Sequence, residues 1–121
     1  KCRLGDYSAA ASALAEALNL DTAVTDREGI AMDMAGVSVL AADLDLPRES
    51  TRLMCAAENL RSQIGLRPFA PPEATYFQQA MDRARQALGD ETFAHEWAIG
   101  FSSTFGQRQD DIDLVLATAE S

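Results

Sequence analysis

The chain has 121 residues, 47% of them apolar, and its 19 Asp and Glu outweigh 10 Lys and Arg for a formal net charge of −9. That length and apolar content fit one domain with its own core and exclude a disordered tail. The acidity excludes nucleic acid and anionic lipid as direct partners, because phosphate binding needs clustered cations and this surface repels polyanions.

The pattern is helical almost throughout. A first helix is predicted from about Tyr7 to Leu20, N-capped by Asp6, with Ala10, Leu14, Ala17 and Leu18 on one face. Residues 21–25 form a short polar connection. A second helix runs from Asp26 to Ala42 and turns Ile30, Met34, Val37, Leu40 and Ala41 inward, while Gly29 and Gly36 allow close approach by a neighbouring backbone. After a turn at residues 43–46, Pro47 opens a third helix whose stripe is Leu53, Ala56, Ala57, Leu60 and Ile64, stopped by Gly65.

Residues 66–72 hold three of the four prolines and read as an extended connection, with Phe69 docked on the core. This connection divides the chain into residues 1–66, helical hairpins, and 67–121, capping helices. A fourth helix is expected from Pro72 or Glu73 to Gly89, burying Tyr76, Phe77, Ala80, Met81, Ala84, Ala87 and Leu88. A fifth, capped by Asp90, carries Phe93, Ala94, Trp97 and Ala98 inward. Residues 100–106 are expected as a loop anchored by Phe101 and Phe105. A last helix spans Gln109 to Ala119, with Asp110, Asp111 and Asp113 complementing its dipole. No segment alternates over a strand's length, so the fold class is all-α.

No apolar run reaches the ~20 residues of a membrane-spanning helix. Residues 1–5 lack the basic-then-apolar organisation of a signal peptide, which predicts a cytoplasmic protein. Cys2 and Cys55 make a poor disulfide framework, and Cys55 falls inside an apolar helical stripe as a small core residue. Neither they nor His95 offer a ligand pair at zinc spacing, so no metal or cofactor is expected. The acidity reads first as a solubility device, and second as attraction for a basic partner.

Internal similarity organises the first half. Gly5-Asp6-Tyr7-Ser8-Ala9-Ala10 and Asp45-Leu46-Pro47-Arg48-Glu49-Ser50 open two helices at an offset of 40 residues, and small residues follow in register at Ala10 and Ala17, then Ser50 and Ala57. Small residues at these steps let antiparallel helices nest closely. Gly5-Asp6-Tyr7 followed by alanines resembles the start of the second helix of a tetratricopeptide repeat, although Asp45-Leu46-Pro47 departs from that pattern. The stretch Ala84-Arg85-Gln86-Ala87-Leu88-Gly89, continuing through Phe93 and Trp97 to Gly100, is similar to the C-terminal end of large bacterial signalling ATPases and LuxR-type transcriptional regulators, some of which carry adenylate cyclase domains. The resemblance implies tetratricopeptide-like hairpins closed by a helical cap. It also implies a fragment whose nucleotide-binding, cyclase or DNA-binding parts lie upstream.

No catalytic constellation emerges. His95-Glu96 lacks the second histidine of a zinc-protease helix, since Ile99 stands there, and Gly100-Phe101-Ser102-Ser103 misses the nucleophile elbow. Residues 100–106 are not a phosphate loop. Asp43 and Asp45 have calcium-like spacing without the rest of a calcium loop. Arg48 and Arg52, four apart, could grip a carboxylate. The leading expectation is a non-enzymatic interaction or sensor module of a regulator, in contact with a protein partner or other domains of its parent chain. Its contact face runs along the second and fourth helices, with Arg48, Arg52, Tyr76, Phe93 and Trp97 as candidate contacts. Self-association through the first helix would make a homodimer. The alternatives are an effector pocket around Tyr76, Phe93 and Trp97 and, last, a small hydrolase using Cys55 or Ser102.

Overall fold

The computed structural model describes residues 4–120, and side chains from Asp6 to Glu120. Cys2, weighed above as a disulfide or zinc partner, lies outside the described residues. Six α-helices follow one another, with no strand among the described residues: α1 (Leu4–Ala23), α2 (Arg27–Asp43), α3 (Pro47–Gln63), α4 (Glu73–Leu88), α5 (Asp90–Phe101) and, after one 3-10 turn at Gly106–Arg108, α6 (Gln109–Glu120).

The centre is the α2–α3 hairpin, two helices of 17 residues each. Asp26 caps α2, its carboxylate accepting the Gly29 N–H at 3.0 Å, and Pro47 occupies the first turn of α3. All five inward residues expected for α2 are buried, as are Leu53, Ala56 and Ala57 of α3. The two backbones meet at Ser38 and Ser50. Ser38 Oγ donates to the Ser50 carbonyl at 2.6 Å and Ser50 Oγ donates to the Ser38 carbonyl at 2.8 Å. Both hydroxyls are fully buried, so this reciprocal pairing removes the cost that an unpaired buried hydroxyl carries.

The other helices pack around the hairpin. α1 lies against α2, α4 against α2 and α3, and α5 mainly against α3. α6 returns to touch α1, α2 and α3, so the last helix closes over the first. Phe69 holds the proline-rich connection as expected, edge-on to Phe77 at 4.7 Å and beneath the Arg61 guanidinium at 4.4 Å. Gly65 and Gly89 end α3 and α4 with φ of 79° and 85°, a region that side chains disfavour.

Several boundaries and orientations differ from expectation. α1 starts at Leu4, so Asp6 sits in its first turn and is not its N-cap, and α1 runs on past Leu20 to Ala23. Tyr76, Ala87, Ala94 and Ala98, expected inside, are exposed. Asp90 is the first residue of α5, with Gly89 at the cap position. α5 continues through Gly100 to Phe101, and Phe101 is exposed, whereas Phe105 packs on the core.

Candidate functional site

Gly100 ends the buried face of α5 because nothing larger fits there. A Cβ at this position would stand 2.5 Å from the Arg52 carbonyl oxygen and 2.8 Å from Cys55 Cβ. The resulting close approach of α5 to α3 brings Glu96, one turn earlier, over Arg48 and Arg52. Glu96 is 3% exposed. It accepts from Arg48 at 2.8 Å and from Arg52 at 2.5 Å.

Arg52 is the hub. Its Nε and a terminal nitrogen donate in parallel to the two oxygens of Asp111 on α6, both at 2.9 Å, and Glu49 stands 3.5 Å away. Arg108 adds a second cation to Asp111 at 2.5 Å. Three arginines thus meet three carboxylates, and α3, α5 and α6 are clasped together. The hydrogen bonds that Arg52 donates to Asp111 raise its pKa against the opposing effect of burial, with Glu96 adding to the rise. Burial penalises the charge on Glu96, but the hydrogen bonds from Arg52 and Arg48 outweigh it and hold its carboxyl below the ordinary value.

Arg48 and Arg52 therefore do grip a carboxylate, and it belongs to this chain. The sequence does not single out Glu96 and Asp111 as the partners of these arginines: Glu96 stands out only beside His95, and Asp111 only as a dipole partner for α6. The available signal was register. Glu96 lies three residues after Phe93 and four before Gly100, on the buried stripe of α5, and a charge in such a stripe calls for a partner.

A second site lies on the other flank of α5. Phe93 and Trp97 stack with centroids 5.9 Å apart, and the Arg85 guanidinium lies 4.6 Å from the Phe93 ring. They line an open cleft of about 710 Å³ with Met81, Glu58, Gln78 and Asp90. Tyr76, expected beside them, is 62% exposed and takes no part. The cleft joins α4 to α5 above the edge of α3, so α4 contributes as expected and α2 does not.

The residues considered for catalysis are not arranged for it. Burial pushes the Cys55 thiol up to about 12, with the Glu58 charge adding to the rise, so no thiolate forms near neutral pH. His95 faces solvent, and Ser102 directs its hydroxyl to the Ala98 and Ile99 carbonyls of its own helix. Asp43 pairs with Arg83 at 2.6 Å, tying α2 to α4. Where α1 meets α2, burial raises Asp33 to about 7, and a hydrogen bond and charge from Asp21 and the charge of Asp26 act in the same direction. Among the described residues no group of three or more His, Cys, Asp or Glu could hold a metal ion, and no helix is long and apolar enough to cross a membrane. Comparison of the chain with protein-family models, with curated proteins and with solved structures gives no match.

Proposed function

We propose that the chain is a non-enzymatic, cytoplasmic interaction module built from tetratricopeptide-like hairpins, the C-terminal sensor part of a bacterial transcriptional regulator or signalling ATPase. The α2–α3 hairpin, with its small-residue seam at Ser38, Ser50 and Ala57, supports the repeat reading. The observation that carries the interaction reading is the open, aromatic-lined cleft between α4 and α5, which stands apart from the Arg52–Glu96–Asp111 cluster whose charges satisfy one another internally. Aromatic and methionine side chains that line a concave surface supply the anchors that partner segments use.

Peptide display against the immobilised domain tests this. Enrichment of sequences that compete with one another for one surface supports the module, and the absence of any enriched sequence overturns it. A second reading, a small-molecule effector site in the same cleft, is favoured by the Phe93–Trp97 stack and by a volume within the range of ligand pockets. Thermal stabilisation by a metabolite-like compound, without any peptide binder, would favour it over the first. Self-association through the outer face of α1, where Leu20 is exposed and Val24 follows in the next turn, is a further part of the proposal. Sedimentation showing a strict monomer at every concentration would remove it.

A further inference from the structure

The cleft beside Trp97 does not end at Met81. Glu58, Gln78 and Met81 also line a second cleft with Phe69 and Phe77, and Glu58 and Phe69 continue into a third beside Arg61 and Leu66. The three are one trough, and Glu58 lies at the junction of all of them. Four of the chain's eight aromatic side chains, Phe69, Phe77, Phe93 and Trp97, line it.

Its charges are unequal in availability. The two cations on its walls are engaged: Arg61 stacks on Phe69 and donates to the Arg67 carbonyl, and Arg85 stacks on Phe93. Of its two carboxylates, Glu58 is not. Glu58 has no hydrogen bond or ion pair among the described residues, and Asp90 has only a 3.9 Å contact with Arg85. Partial burial against the trough raises the Glu58 carboxyl above its ordinary value. The domain as a whole carries −9. An occupant complementary to this trough combines a positive charge with aliphatic flanks.

We infer that the trough takes a short, basic amphipathic segment of a partner protein, its cation seated at Glu58 and its aliphatic side chains on Phe93 and Trp97 at one end and on Phe69 and Phe77 at the other. This rests on the interaction-module reading. Trp97 is the only tryptophan, so its emission reports occupancy directly. The test titrates the domain with a helical peptide of about 14 residues, roughly four turns, made of Leu, Ala and Arg only. A saturable change in Trp97 emission is expected. Glu58→Lys should weaken binding about tenfold and Glu58→Gln about threefold. Glu120→Lys, the same charge change on the exposed end of α6, should alter it less than about twofold, as expected for an exposed charge remote from the bound cation.

Equal weakening by Glu58→Lys and Glu120→Lys, equally tight binding of the peptide with Glu in place of Arg, or an unchanged Trp97 signal would each overturn the inference. If peptides enriched by display bind but ignore Glu58→Lys and Trp97→Ala, the trough assignment fails and the module stands. If display enriches nothing, both fail.

Discussion

Replacing Arg52 with methionine should destabilise the domain far more than the same change at Arg48, although both arginines lie on α3 and both bond Glu96. Arg52 makes three charge-assisted hydrogen bonds, two to Asp111 and one to Glu96, and its side chain is 16% exposed. Each such bond is worth about 1.5–3 kcal/mol. The loss is partial because Arg48 still faces Glu96 and Arg108 still faces Asp111. The net cost of Arg52→Met is then about 3 kcal/mol, at the lower end for breaking a buried ion pair. That is a large share of the ~5–15 kcal/mol that holds a domain folded. Arg48 makes one such bond from a side chain 55% exposed, so Arg48→Met should cost no more than about 1 kcal/mol. Urea unfolding followed by far-ultraviolet circular dichroism at constant m-value measures both. Equal midpoints for the two variants, or a larger shift for Arg48→Met, would refute the role of Arg52 as hub.

Glu96, held below its ordinary value, contributes stability that is complete above that value and is lost as pH falls through its folded pKa; Glu96→Gln should therefore flatten the acid limb of a stability–pH curve. Asp33 runs the other way: raised from 3.8 to about 7, it takes up protons on folding, so stability falls as pH rises between those values. Asp33→Asn should abolish that slope and gain about 1 kcal/mol at pH 8 after allowance for solvent screening, read from urea midpoints at pH 5 and 8. Gly100→Ala forces a methyl group against the Arg52 carbonyl and should cost about 1–3 kcal/mol with a visible drop in melting temperature. Cys55 should react with a thiol reagent only as fast as the domain opens, and become immediately reactive in denaturant.

The hairpin was legible because its signals are local. Ile30, Met34, Val37 and Leu40 repeat at helical steps, and Asp26 and Pro47 mark the helix starts with side-chain and ring chemistry that needs no tertiary context. The orientation of α4 and α5 was less so. Tyr76 and Phe101 are apolar enough to suggest burial, but helical phase places Phe77 and Gly100 inward instead, and a helix has room for only one buried stripe. The Arg52 hub joins residues 44 to 59 positions apart. Its two arginines stood out by spacing, while their acidic partners looked like ordinary solvated charge in a chain with 19 of them. The Gly100 contact had a sequence signature only as the end of the Ala84–Gly100 resemblance, and its purpose, letting α5 reach the α3 backbone, depends on which helices meet.

The most direct measurement is a nitrogen-15 chemical-shift map of the domain titrated with a display-selected peptide. Shifts are expected only in the trough, at Glu58, Gln78, Met81, Phe93 and the Trp97 indole, with the Arg52 side-chain resonances unmoved. Shifts centred on α1 or α2, with the Trp97 indole unchanged, would contradict this.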